Sequence, residues 1–465
     1  MKNNLLALLI FMLLAQIVVT LGSGCAQIGA PTGGARDTSA PMLVKAIPEL
    51  NTLNFNGNKI TLTFNEYIEL QDLQSNLLIS PLQKNMPVIK SNLRSIYITL
   101  KDTLLSNTTY TINLGNAVKD INEGNIYKNL QYTFSTGNSI DSLQLSGKVT
   151  LAETGKVDST LIALLYLNPV DSSVTSRKPD YIAKVDGKGD FVFTHLPRAS
   201  ARVYVLKDGD GGKTYNSKSE LFAFYDTDLN TTNAIAPVIL YAYAEEKSMK
   251  ESKVEKKQSK EKKLSFSNNL TGPKKDLLEP LKLTFNTSIK KLDVKSIVLT
   301  DTSFKVLPNT NITFDSSQGI ITIDYKWIPE TRLSIIVPKE AVEAEEGKTL
   351  SKSDTLYFIT KSISDYGNLV LRFNNLDTSQ KIVVQFVTDN QVKYAYPIIG
   401  NEWSNKIFPP GEYEVRILYD SNNDGVWTAG KYKEKLQPEK IIVLSQKISV
   451  KANWDNERII DLPID

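Results

Sequence analysis

Hydrophobic and polar residues alternate in short runs along most of this chain. Lys59-Ile-Thr-Leu-Thr-Phe64, Ser95-Ile-Tyr-Ile-Thr-Leu100, Thr109-Tyr-Thr-Ile-Asn-Leu114 and Leu130-Gln-Tyr-Thr-Phe-Ser135 keep a period of two. That period sends one set of side chains into a core and the other to water, and it predicts half-buried strands of a two-sheet sandwich. Turn signals recur every ~8–12 residues, as such a sandwich requires. Asp120-Ile-Asn-Glu-Gly-Asn125 is one of them, rich in residues that tolerate a left-handed backbone. From Leu143 a second set of strand-like runs begins (Leu143–Leu151, Leu161–Leu167, Tyr181–Val185, Phe191–Phe193, Arg202–Leu206) and ends near Tyr243.

Between Glu245 and Lys263 the pattern stops. Eight Lys and five Glu fill this stretch, with Val254 and Met249 its only clear hydrophobes. It cannot bury enough surface to offset the entropy of ordering, and it predicts a charged spacer. Beyond it the earlier order recurs. Leu283-Thr-Phe-Asn-Thr-Ser-Ile289 echoes Leu62-Thr-Phe-Asn-Glu-Tyr-Ile68, Ile320–Asp324 echoes Ile96–Leu100, and Leu356–Thr360 echoes Tyr132–Thr136. Val415–Tyr419 followed by Asp420–Gly425 repeats Val203–Leu206 followed by Asp208–Gly212. The chain reads as two different β-units, a spacer, and the same two units again. The expected limits are a leader at 1–24, a flexible tether at 25–40, sandwiches at 41–139 and 140–244, a linker at 245–272, and sandwiches at 273–362 and 363–465.

The leader is the one long apolar run. Met1-Lys2-Asn3-Asn4 precedes an almost wholly apolar Leu5–Leu21, and Gly22-Ser23-Gly24 ends it at Cys25, the single cysteine of the chain. This is the order of a secretory signal. A cysteine directly after small residues resembles a bacterial lipobox, which implies lipid attachment at Cys25 and a membrane as first partner. A retained anchor and a soluble secreted protein are the alternatives, and the run is short for a span of ~20 residues. The first acidic residue after Cys25 is Asp37, which leans toward the periplasmic face of an outer membrane rather than the cell surface.

One Cys and one His exclude internal disulfides and leave zinc, copper and haem without their usual ligands. The net charge of +3 equals the lysine excess of the spacer alone, so no folded basic face is left for nucleic acid.

Leu105-Ser-Asn-Thr-Thr-Tyr110, Ala117-Val-Lys-Asp120, Gly124-Asn125 and Phe134-Ser-Thr-Gly137 together resemble the SbsA-type bacterial Ig-like domain. Cys25-Ala-Gln-Ile-Gly-Ala-Pro-Thr-Gly-Gly34 ahead of them looks like the start of Bacteroidetes lipoproteins that carry that domain. The second and fourth units are similar in pattern to prealbumin-like sandwiches of the carboxypeptidase-regulatory kind. The fold expectation is therefore all-β, Ig-like sandwiches alternating with prealbumin-like ones. These resemblances imply tethering, spacing or binding of an envelope protein or glycan, and no catalytic residues to carry over.

Local chemistry is sparse. Asp420-Ser-Asn422-Asn-Asp424-Gly425 fits the first half of a calcium loop, with oxygen ligands at alternating positions and Gly at the sixth. Its twelfth position is Lys431, with Glu434 three residues on as a substitute. The same residues make an Asx- and Gly-rich turn for backbone reasons alone. Trp427 and Trp403 are candidate platforms for sugar or peptide, set against a simple core role. His195 lacks a Ser-His-Asp context. Glu66, Glu69, Asp354 and Glu402 are the free carboxylates that a hydrolase pair would draw on, and such an enzyme is the competing reading. Asp-Ser/Thr-apolar triplets begin at Asp102, Asp141, Asp158 and Asp354 and resemble O-glycan acceptors of Bacteroidetes.

Overall fold

The computed structural model describes residues 10–16, 36–233, 236–246, 263–345 and 347–462. Cys25 and residues 247–262 of the spacer lie outside them. Among the described residues the chain is almost entirely β, and none of its helices is long and apolar enough to cross a membrane. Residues up to Asp141 form one compact unit and residues from Ser142 another.

In the first unit the alternating runs pair as the pattern demands. One sheet has the order Leu43–Ile47, Lys59–Phe64, Ser95–Thr99, Val88–Asn92, and the facing one Leu130–Ser135, Thr109–Gly115, Leu78–Ser80. Ile60, Leu62 and Phe64 point from the first sheet onto Tyr110, Ile112, Leu114, Tyr132 and Phe134 of the second, all buried. A third small sheet, Ile68–Leu70 with Val118–Asp120 and Ile126–Tyr127, closes one end. Asp120 holds that end together. Its carboxylate accepts the backbone N–H groups of Glu123, Gly124 and Asn125 at 2.6–2.9 Å, which is why the turn can bury an acid.

The second unit contains three further cores. The sandwich of residues 143–242 sets Asp190–Leu196, Leu143–Leu151, Val238–Ala242 against Tyr181–Lys184, Ile162–Leu167, Ser200–Leu206, Phe222–Phe224. The last sandwich sets Glu402–Phe408, Gly367–Asn374, Asp455–Asp461 against Gln391–Ile398, Ile382–Thr388, Gly411–Tyr419, Ile441–Val443. The orders agree strand for strand, including the parallel pairing of each first strand with each last one. The sandwich between them repeats the first unit: Phe266–Asn268, Leu281–Phe285, Ile320–Asp324, Asn311–Asp315 in one sheet and Asp354–Thr360, Arg332–Val337, Val298–Thr300 in the other. The thin sequence echoes therefore mark a real duplication of topology.

Composition misplaces the end of the spacer. Residues 263–272 join the third core: Leu264 is buried, and Phe266–Asn268 pairs with Leu281–Phe285. Serines and asparagines hide this strand from a hydrophobic count. The third core also buries Lys275 completely. Its ammonium donates to the carbonyls of Asp276 and Glu279 and lies 4.8 Å from the Trp327 ring centre, and burial lowers its pKa to about 8.

The two prealbumin-pattern sandwiches lie side by side. Tyr432, after the last sandwich's acidic loop, is buried among Tyr204, Tyr215, Phe222 and Phe224 of the 143–242 sandwich, at ring-centre distances of 5.1–6.0 Å. The spacer separates them in sequence, and aromatic packing joins them in space.

Two outcomes are expected. Gly147 sits where an added Cβ would stand 2.3 Å from Phe191 Cζ and 2.7 Å from the Val238 carbonyl oxygen, so Gly147→Ala should destabilise its sandwich by ~1–3 kcal/mol, read by denaturant unfolding. For Asp120, burial disfavours the charge, but the three N–H donors outweigh it and hold the carboxyl below its usual 3.8. The unfolded chain therefore takes up the proton first as pH falls, so the stabilisation is complete above ~pH 5 and is lost progressively as pH falls through 3.8 to the lower folded-state pKa. The hydrogen-exchange protection factors of Thr109–Gly115 should fall over that range in the wild type, and be lower already at pH 7 in Asp120→Ala, with a loss of ~1–3 kcal/mol.

Candidate functional site

The sequence points to the loop that leaves strand Gly411–Tyr419, and the structure shows what holds it. Asp420 is buried. Its Oδ1 accepts from Asn423 N at 2.7 Å and its Oδ2 from Gly425 N at 2.9 Å. Asn422 Oδ1 accepts from Asp424 N, and its amide donates to Asp424 Oδ2 and Thr428 Oγ1. Asp424 Oδ1 accepts from Val426 N at 2.7 Å. The three expected ligands are thus brought together, and each spends its side-chain oxygens on the loop itself.

The residue that completes the loop is Glu439, which sequence spacing did not single out. It is buried. One oxygen accepts from Ser421 N and Oγ at 2.8 Å, the other from Thr428 N at 2.9 Å. Glu434, weighed as the twelfth-position substitute, instead faces Lys431 at 3.4 Å on the surface. The Asp208 loop repeats the design. Asp208 accepts from Lys213 N, Asp210 from Gly212 N and the Asn216 amide, and Glu220 from Asn216 N and Ser217 N. Burial holds the Glu220 carboxyl above its usual range, with Asp210 and Asp208 adding to the shift against those two donors. A glutamate two residues ahead of the next strand is the common signal, Glu220 before Phe222–Phe224 and Glu439 before Ile441–Val443. Among the described residues no group of three His, Cys, Asp or Glu side chains is placed to hold a metal ion.

Trp427 is half-buried, its Nε1 donating to the Glu439 carbonyl at 3.0 Å. Trp403 packs on the fourth core, 5.3 Å from Phe386 and 5.0 Å from Tyr396 between ring centres. Trp327 is buried, and the openly exposed tryptophan is Trp454, at 63%. Beside the acidic loop lies an open groove of about 610 Å³. Ile382, Val383, Pro397 and Ile398 floor it, Asp424 stands on its rim, and Ile399 at a hairpin tip is 92% exposed.

The remaining candidates are dispersed. His195 is the next-to-last residue of strand Asp190–Leu196, with a left-handed φ of 55°, and is half-buried. Glu69 pairs with Lys119 at 2.8 Å, and Glu402 with Arg372 at 3.0 Å. Burial, then the charges of Asp120 and Asp37, raise the Glu66 carboxyl above its usual range. Asp354 opens an exposed strand end. In three of the four glycan-like triplets the aspartate is hydrogen-bonded: Asp102 with Asn85, Asp141 with Thr109, and Asp158 with Thr160.

Because the Asp420 loop is closed by its own donors, Asp420→Ala should destabilise the last sandwich by ~1–3 kcal/mol. The loss should be the same in calcium and in chelator. A melting shift on adding calcium to the wild type alone would place the metal at this loop.

No match was found among curated proteins. Solved structures that align with the chain include BcpA, the major pilin subunit of Bacillus cereus, at 11% identity over 69% of this chain and 99% of that one, with a TM-score of 0.17. The N-terminal part of the bacterial S-layer protein SbsC aligns at 16% identity over 43% and 44%, TM-score 0.17. The BSP domain of a biofilm associated protein aligns at 11% over 91% and 99%, TM-score 0.16. At such scores the likeness carries no argument. The family comparison is more definite: residues 37–136, the first sandwich, match the bacterial Ig-like domain.

Proposed function

We propose that this chain is a lipid-anchored, non-catalytic protein of the cell envelope, held at the outer membrane through Cys25. Its sandwiches act as spacers and present loops to a protein or glycan partner, with the groove beside Asp424 and Ile399 as the contact surface. The observation that carries the reading is the order of its parts: an apolar leader ending in small residues at the sole cysteine, a stretch rich in Gly, Pro, Thr and Ala, and then a bacterial Ig-like domain at 37–136. Support for a non-catalytic role comes from the site chemistry, where the acidic side chains of the acidic loops are engaged in holding turns. Bound calcium is not required by this reading.

Cell fractionation with a Cys25→Ser variant tests the anchor. The wild type should follow the membrane and the variant the soluble fraction, and retention of the variant in the membrane would refute lipid attachment. Protease shaving of intact cells then assigns the face: protection until the outer membrane is permeabilised is the outcome expected here, and cleavage from outside would move the protein to the surface.

A further inference from the structure

The contact between the 143–242 sandwich and the last sandwich is built from both sides. Besides its aromatic ring of neighbours, Tyr432 donates its hydroxyl to the Asp171 carbonyl at 3.0 Å and its backbone N–H to the Glu245 carboxylate at 2.9 Å. The same Glu245 oxygen accepts the Tyr215 hydroxyl at 3.1 Å, so one carboxylate ties both halves of the seam. Tyr215 and Tyr432 each follow an acidic loop and meet edge to face at 6.0 Å. Burial raises both phenols well above their usual pKa, so both stay neutral donors. Gln437 donates to the Phe224 carbonyl and to Asp226. Gly430 leaves room for Tyr243, where an added Cβ would stand 2.6 Å from the ring.

The opposite partner reaches back. The turn at 152–156 lies on the outer face of the last sandwich, where Lys156 donates to Asn390 at 2.6 Å and Gly155 packs on Val443. Beneath it Arg416 is 1% exposed, bonded to the Glu153 carbonyl at 3.1 Å and to Glu414 at 2.8 Å. A fully buried arginine in mid-strand is costly unless something covers and pairs it. The last sandwich alone would expose that side chain and the Tyr432 ring to water. Each surface is finished only by the other.

We infer that residues 142–246 and 363–462 are obligate partners within one chain, forming a single body whose halves remain bound when the peptide between them is cut. The partner that this seam fits is the duplicated sandwich of the same chain, and this inference stands apart from the proposed anchor and groove. Buried aromatic and arginine anchors at the centre of an interface are the groups that dominate binding.

The test uses the full chain with a specific protease site inserted between Lys250 and Glu261. After complete cutting, a denaturing gel should show two fragments. Size-exclusion chromatography with light scattering at micromolar concentration should show one species of the intact mass. The variant Tyr432→Ala should separate, with fragment affinity reduced by about thirtyfold or more, and Trp454→Ala should not. Circular dichroism of the separated Tyr432→Ala fragments should remain β-rich, which distinguishes a broken seam from a failed fold. Separation of the cut wild type into two folded species would overturn the inference. So would equal affinity in the wild type and Tyr432→Ala.

Discussion

With one cysteine in the chain, no covalent bond can brace these sandwiches, and every turn must be pinned by what the chain itself folds into it. A sandwich of roughly a hundred residues has a core one side chain deep on each sheet. Its ends, where backbone groups leave the ladder, are where it would fray. The solution recurs: an acid is drawn in and satisfied by backbone N–H groups. Asp120 does this in the first unit, Asp208 with Glu220 in the next, and Asp420 with Glu439 in the last. In the third core the sign is reversed, and the Lys275 ammonium gathers two carbonyls. Charge is spent here on architecture.

The same use bears on the calcium spacing of the last acidic loop. Residues that hold a turn by side-chain oxygen are the residues that hold calcium by side-chain oxygen, and Asp420, Asn422 and Asp424 satisfy either spacing. The difference lies in who faces the oxygens. Glu439 is far enough along the chain that no local motif includes it, yet it completes the loop.

The strands were legible because alternation is a local property: Lys59–Phe64 and Thr109–Gly115 stand close to where the pattern puts them. The duplication was legible from order alone. The strand Phe266–Asn268 was not, since its pairing with Leu281–Phe285 decides its structure while its own residues favour a coil. The seam was not legible either. Tyr432 sits in Lys431-Tyr-Lys-Glu-Lys435, where its neighbours are all charged and nothing announces a buried ring. Tertiary partners, distant in sequence, supply what periodicity lacks.

The seam also changes how the chain bears load. A tandem array of independent sandwiches passes tension through each in series, and the weakest yields first. Here tension entering at residue 142 reaches the last sandwich directly, across Tyr432, Gln437 and the turn over Arg416. The third core stands outside that path for as long as the seam holds. Its unfolding length is kept in reserve, released only after the two duplicated sandwiches have been pulled apart.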